Sequence, residues 1–282
     1  MTEAMHPLTT LVLGGTGKTG RRIVERLQAR DVPVRVGSRS AEPPFEWNDP
    51  ATWGPAVDGV DAVYISYYPD LAAPGAAEVI RAFSDVAVAA GVQRLVLLSG
   101  RGEEEAQAAE KFVQSAGAEW TIVRSSWFAQ NFSEDYLLEP VLNGEVFLPA
   151  GDVPEPFIDA DDIADVAVAA LTEDGHVGQV YEVTGPRLLT FAEAVAEIAK
   201  ATDRPIKFVR ISSEEFEAAA LADGVPPKLV GLLRYLFNTV LDGRSAHVSD
   251  GVQRALGREP RDFYDFAWDV AASGAWDVAV ER

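Results

Sequence analysis

Three glycines spaced by three, Gly14, Gly17 and Gly20, separate an apolar run, Leu11-Val12-Leu13, from a helical run, Arg21 to Arg30, whose Ile23, Val24 and Leu27 share one face. Few arrangements constrain a fold as tightly. One glycine lets the chain turn off a strand, one lets bare backbone approach a ligand, and one lets helix and strand pack closely. The helix N-terminus then offers unpaired N–H groups to an anion, so the segment reads as a cradle for a pyrophosphate. A second apolar run, Val32 to Val36, stands where a strand-helix-strand unit requires it. A triphosphate-binding P-loop needs four residues between its first glycine and Gly-Lys-Ser/Thr. Gly14 and Gly17 are separated by two, so Gly17-Lys18-Thr19 is a chance resemblance and a dinucleotide is the expected ligand.

The end of the second strand discriminates between dinucleotides. An acid there holds a ribose 2′-hydroxyl, whereas a basic residue meets a 2′-phosphate. Here stands Gly37-Ser38-Arg39-Ser40, with no acid before Glu42. Arg39 is expected to stack on or pair with the phosphate and Ser38 to hydrogen-bond it, which selects NADP(H). The competing reading makes Arg39 a solvated loop arginine.

The chain has 282 residues, 48% of them hydrophobic, and 44 acidic against 24 basic side chains. A net charge of -20 argues against nucleic acid, whose binding needs clustered Lys and Arg. With no cysteine, disulfides and thiol catalysis are excluded. His6, His176 and His247 are scattered without ligand spacing, so no metal site is expected. Met1 to Thr10 carries Glu3 and lacks a basic region followed by an apolar core, and no run is long enough to span a bilayer. The expectation is a cytoplasmic protein with a small-molecule substrate and no membrane partner, as a monomer or homodimer.

Strand and helix signals then alternate. Phe45 to Trp47 reads as a short edge-like strand, with Asn48 or Asp49 capping a helix from Pro50 to Val57. Both polar residues also suit contact with an adenine. Asp61 to Ser66 reads as a buried strand whose continuation, Tyr67-Tyr68, leaves the sheet at its carboxyl edge, where ligands of open α/β sheets bind. The tyrosines flank a nicotinamide or substrate, or one of them packs under the next helix. Further strands are expected at Arg94 to Ser99 and Trp120 to Val123, and helices at Gly75 to Ala90 and from Glu103 to about Ser115. Glu103-Glu104-Glu105 is explained by the helix dipole alone. The pattern specifies an α/β, Rossmann-like, doubly wound parallel sheet over residues 1–125, completed by 158–185. Residues 126–282 are expected to form a smaller, mostly helical C-terminal α/β lobe for the substrate, in which Asp159 to Asp162 caps a helix from Ile163 to Leu171. Within it Lys228 to Phe237 reads as core packing first and as a substrate lid or dimer contact second.

Together the glycine motif, Ala109-Glu110-Lys111-Phe112, Trp120-Thr121-Ile122-Val123-Arg124, Trp127-Phe128-Ala129-Gln130-Asn131-Phe132 and Asp159-Ala160-Asp161-Asp162-Ile163-Ala164 resemble the NmrA-like atypical short-chain dehydrogenases. The stretch Gly14 to Arg22 and Pro43-Pro44-Phe45-Glu46-Trp47 are most similar to the branch of agroclavine and festuclavine dehydrogenases and its bacterial relatives. The resemblance implies NADPH-dependent reduction, with an iminium as the branch's substrate type. It places Gly14, Thr16, Gly17, Lys18 and Thr19 on the pyrophosphate, Ser38 and Arg39 on the 2′-phosphate, and Ser66 and Ser99 along the cofactor. Trp127, Phe128 and Asn131 would line the substrate cleft.

One departure bears on mechanism. The wider superfamily uses Tyr-x-x-x-Lys, its tyrosine giving a proton to a carbonyl. Four residues before Lys111 stands Gln107, which cannot act as an acid. A C=N⁺ group becomes a neutral amine on taking hydride, and a quinone yields a stabilised anion, so neither needs that acid. The sequence therefore favours hydride transfer to a pre-activated acceptor, iminium or quinone-like. Lys111 either reaches the nicotinamide ribose or is a solvated helix lysine. The missing tyrosine equally suits a redox-sensing regulator that binds NADP(H) without turnover.

Overall fold

Runs of four apolar or small residues form the buried strands β1 (Thr10–Leu13) and β3 (Ala62–Ile65), every residue of which is shut off from water. Unbroken apolar strands of this kind need cover on both faces. A computed structural model describes residues 9–278, in two compact units. The reading of Met1 to Thr10 rests mostly on residues outside these, and His6 lies outside them too.

The first unit holds the described residues up to Ser125 together with Asp161–Glu182 and Gly251–Arg258. Its sheet has the order β2-β1-β3-β4-β5-β7, where β2 is Val34–Gly37, β4 Arg94–Gly100, β5 Glu119–Ser125 and β7 Gln179–Val183. The pairs from β2 through β5 are parallel. Leu11, Leu13, Val63, Ile65, Leu95 and Leu97 alternate onto one face and meet Ile80 and Phe83 of α3 (Ala76–Ala89) and Ala106, Ala109 and Val113 of α4 (Glu104–Ser115). From the other face Tyr64 reaches α1 (Lys18–Ala29) through a hydrogen bond to Thr19. Arg26 of α1 ties down α7 (Ala160–Thr172) through Asp161 and Asp165, each at 2.6 Å. Helices on both faces of a largely parallel sheet make the doubly wound Rossmann-like fold.

A distant segment also belongs to this unit. α11 (Gly251–Leu256) precedes Arg258, whose guanidinium pairs at 2.7 Å with the fully buried Asp162. Nothing in the local sequence of 251–258 announces that role, because the signal is a charge pair separated by almost a hundred residues.

The second unit contains Ser126–Ala160, Val183–Asp250 and the described residues from Glu259 on. It has a two-stranded parallel sheet of β6 (Glu145–Leu148) and β8 (Lys207–Arg210), and is otherwise mostly helical. Phe132, Phe157, Phe191 and Phe263 form its aromatic centre, with ring centroids between 5.0 and 6.1 Å apart in the contacts Phe157–Phe191 and Phe132–Phe191. Trp276 closes the cluster, its indole N–H donating to the Phe132 carbonyl at 2.9 Å.

Two expectations, the Phe45 to Trp47 strand and the helix from Ile163, are corrected. Phe45 to Trp47 is not a strand: the sheet ends at β2, and Phe45 and Trp47 both turn into a cluster with Trp53 and Phe83 instead of alternating. Asp49 caps the 3-10 turn Pro50–Thr52 that leads into α2 (Trp53–Val57). The helix expected from Ile163 begins at Ala160, and its N-terminus is capped by Gln130, whose side-chain oxygen accepts from the Ala160 N–H at 2.7 Å while its amide donates to Asp159 at 2.8 Å. The Lys228 to Phe237 stretch divides into α10 (Pro227–Tyr235) and a π-helical turn, Leu236–Val240, with Val230, Leu233, Phe237 and Val240 buried as core.

Candidate functional site

The glycine turn leaves β1 at Gly14, whose φ of +64° is left-handed backbone that favours glycine. The turn closes with the Gly17 N–H on the Gly14 carbonyl at 2.8 Å. Gly20, in the first turn of α1, packs so closely that a Cβ there would lie 2.1 Å from the Gly14 carbonyl oxygen. Gly17 is the N-cap, with no side chain bonded over the helix end and no acid in the first turn. Gly14, Thr16 and Gly17 are exposed and Lys18 is half-buried. A bare, positively polarised helix end behind an exposed glycine turn fits a pyrophosphate. The Thr19 side chain is buried and accepts the Tyr64 hydroxyl at 2.9 Å, so its hydroxyl faces the core, while its backbone stands in the first turn of α1.

β2 runs beside β1 with Gly37 opposite Leu13, which brings Ser38 and Arg39 to the strand end next to the cradle. Arg39 is exposed and makes no ion pair among the described residues, and Ser38 Oγ lies 3.4 Å from Ser40 Oγ. Ser66, at the end of β3, has its Cβ and Oγ 3.6 Å from where a side chain on Gly14 would start. The cradle, Ser38, Arg39 and Ser66 thus form one constellation along the carboxyl edge.

Ser99 is oriented differently. It is buried, and its hydroxyl donates to Glu110 of α4 at 2.6 Å. Arg124 grips both oxygens of that carboxylate, at 2.9 and 2.5 Å, and also donates to Glu182 at 2.8 Å. The hydrogen bond to Glu110 is the chief reason the Arg124 guanidinium is held well above its usual range. Burial alone would raise the Glu182 carboxyl, but the Arg124 hydrogen bond and the charges of Arg101 and Arg124 bring it below the usual carboxylate range. Sequence reading quoted Glu110 and Arg124 only as motif letters and missed their pairing. Lys111, one residue on, is exposed, and Gln107 is half-buried.

A second omission is Glu103. Glu104 and Glu105 are exposed, as a dipole explanation requires, but Glu103 is 7% exposed and hydrogen-bonds to Asp70 in the loop after β3. Burial first, then the charge and hydrogen bond of Asp70, push the Glu103 carboxyl well above the ordinary carboxylate range. Asp70, itself raised by burial, also accepts from the Ala72 N–H at 2.7 Å. Because the folded chain binds a proton that the unfolded chain releases, the stabilisation is full below the unfolded glutamate value and is lost as pH rises through the raised folded one. Glu103→Gln keeps a donor toward Asp70 and cannot ionise, so its stability relative to wild type is expected to improve steadily with rising pH. Denaturant titrations across that range check this; parallel curves would refute the pairing.

Of the expected substrate residues, Tyr67 packs on Trp47 with ring centroids 5.1 Å apart, and burial raises its phenol, whereas Tyr68 is 76% exposed. Adjacent residues thus point opposite ways, one packed and one free. Trp127, Phe128 and Asn131 lie in the second unit, Trp127 against Phe191 and Phe237 at 5.2 and 5.0 Å. Phe128 forms a parallel bridge with Ile158, and the Asn131 N–H donates to the Phe128 carbonyl at 3.1 Å. Among the described residues no group of His, Asp and Glu could hold a metal ion, and no helix is long and apolar enough to cross a membrane.

A family model described as NAD(P)H-binding matches residues 14–174. The NAD(P)H azoreductase of Xenophilus azovorans is 32% identical over 284 residues, covering 93% of this chain and 98% of that protein. Agroclavine dehydrogenase of Claviceps fusiformis is 32% identical over 285 residues, covering 93% and 97%. Among solved structures, the NADPH-dependent quinone oxidoreductase of Escherichia coli complexed with NADPH is similar with a TM-score of 0.77 over 93% of this chain and 99% of that one. At 22% identity that likeness concerns the fold.

Proposed function

This chain belongs to the NAD(P)H-binding family that matches its residues 14–174, and we propose that it is an NADPH-dependent reductase of a pre-activated organic acceptor, iminium, azo or quinone-like. The observation that carries this reading is Gln107 at the position of the usual tyrosine acid, on a helix beside an otherwise intact dinucleotide edge. When bound, NADPH supplies the hydride. The backbone of Gly14 to Gly17 and the bare end of α1 bind the pyrophosphate, and Arg39 with Ser38 binds the 2′-phosphate. Tyr67 and Tyr68, which follow β3 at the carboxyl edge of the first unit, are assigned to the substrate, supplying contact and orientation rather than a proton. The names of two relatives, an NAD(P)H azoreductase and an agroclavine dehydrogenase, support reduction of an organic acceptor by a nicotinamide cofactor.

Two measurements test the reading. NADPH consumption, followed at its absorbance band, is expected with iminium, azo or quinone acceptors and not with simple ketones. Tight NADPH binding with no turnover of any acceptor would favour the sensor instead. Arg39→Ala is expected to weaken NADPH binding about 10-fold or more, since a hydrogen bond to a charged group contributes about 1.5–3 kcal/mol, and to leave NADH binding unchanged. Equal losses for both nucleotides would remove Arg39 from the phosphate.

A further inference from the structure

We propose that Asp70 and Glu103 form a pH-released latch that holds the loop after β3 against the start of α4, closed while the two carboxyls share one proton and open once both are ionised. What the latch does to turnover rests on the assignment of Tyr67 and Tyr68, which that loop carries, to the substrate. β3 and β4 are adjacent and parallel, so their connections leave the sheet side by side at its carboxyl edge. Asp70 stands in the first connection, and Glu103 ends the second as the N-cap of α4. A polar side chain at that place ordinarily bonds the helix end, but Glu103 makes no such bond and turns to Asp70 instead. Two carboxyls hydrogen-bond only while one of them keeps its proton, because a carboxylate only accepts.

The seat of Glu103 is built for the bonded form. Its carboxyl fills the space that a side chain on Gly100 would take, where a Cβ would run into the carboxyl carbon and both oxygens. Glu103 Oε2 is buried with no hydrogen-bond partner among the described residues, so an ionised Glu103 would lack the donors that a buried charge requires. The charges that bear on the pair add to the repulsion: Glu105 acts on both members, and Glu110, itself paired with Arg124, acts on Glu103. Arg101, two residues before Glu103, directs its Nε to Glu182 at 3.3 Å. On the loop side, Ser66 is anchored by the Trp47 indole N–H, which donates to its carbonyl at 3.1 Å, and Tyr67 packs on Trp47. Tyr68 and Pro69 are exposed. Beyond them Asp70 fixes the turn, its carboxyl accepting from the Ala72 N–H and its carbonyl from the Ala73 N–H at 3.1 Å, with Leu71 and Ala72 buried where the loop closes.

The chain has no cysteine, so Ala72→Cys places a single thiol at a buried position, and its modification by a disulfide reagent reports opening of the loop. Rates are corrected for thiolate content with the denatured chain. Opening is expected to rise about 10-fold per pH unit between the ordinary glutamate value and the raised value of the closed pair, as release of one proton requires, and to level off above it. Adding Glu103→Gln, whose amide donates to Asp70 without titrating, is expected to abolish that slope, and adding Gly100→Ala to open the loop at every pH. Asp70→Asn serves if Glu103→Gln does not fold, and hydrogen exchange of the peptide 66–73 repeats the reading without the thiol. A slope that survives Glu103→Gln, or that appears equally in exchange of the β3 and β4 amides, would overturn the latch. The KM for benzoquinone, measured with NADPH, is expected to rise in step with opening. A KM that stays flat while the loop opens supports the latch and overturns the assignment of Tyr67 and Tyr68 to the substrate.

Discussion

Gly20→Ala is expected to remove dinucleotide binding almost entirely, by about 100-fold or more, and to destabilise the fold as well. Helix propensity alone argues the opposite, since alanine is favoured over glycine by about 0.8–1.0 kcal/mol inside a helix. Sterics decide the sign. The new Cβ would sit 2.1 Å from the Gly14 carbonyl oxygen, 2.6 Å from its carbon and 2.8 Å from the Gly15 α-carbon, all backbone atoms with no rotamer to yield. Either α1 backs away from the turn or the turn opens, and overpacking of this kind costs about 1–3 kcal/mol. Both responses move the N-terminal end of α1 away from the anion, and loss of two hydrogen bonds to a charged group at about 1.5–3 kcal/mol each gives the stated effect. Fluorescence titration with NADPH, beside a thermal melt, measures both. An alanine variant that binds as wild type does would show that the helix end is not the phosphate site.

The contrast between cradle and Ser99 shows what was legible in the chain. The cradle is local: glycine spacing, apolar triplet and helical face lie within twenty residues, and the steric demands that place Gly14 and Gly20 are visible in the residue types. The same holds for the alternating strands and helices, whose periodicities need no knowledge of distant partners. The Ser99–Glu110–Arg124–Glu182 row escapes such reading because its members come from four elements and touch only once the sheet order is known. Glu103 escapes for a related reason. In a run of three glutamates nothing local distinguishes the one that turns inward to Asp70 from the two that meet solvent. The short helices α5 (Asn131–Glu134) and α6 (Leu138–Asn143) went unforeseen because so few residues do not establish a period. The aromatic letters of Trp127 and Phe132 announced importance but not its kind, since one packs in the second unit's core and the other forms its centre.

Arg124→Met is expected to be the most damaging change to the fold of the first unit, at about 3 kcal/mol or more. The arginine itself supplies modest net stability, because moving its charge from water offsets much of the attraction. What matters is what its removal leaves behind. Glu110, at 3% exposure, would lose its paired cation, with the Ser99 hydroxyl as its remaining hydrogen-bond donor among these contacts. Glu182, with its side chain 35% exposed, can turn to water and adds little. This asymmetry makes a sharp second test: adding Glu110→Gln to Arg124→Met removes the isolated charge and is expected to recover part of the lost stability, although Glu110→Gln alone destabilises. Urea midpoints of the three variants decide the matter. If the double variant is less stable than Arg124→Met, the cost of the single change lies in lost packing of the guanidinium stem, and the buried charge pair is not what joins α4 to the carboxyl ends of β5 and β7.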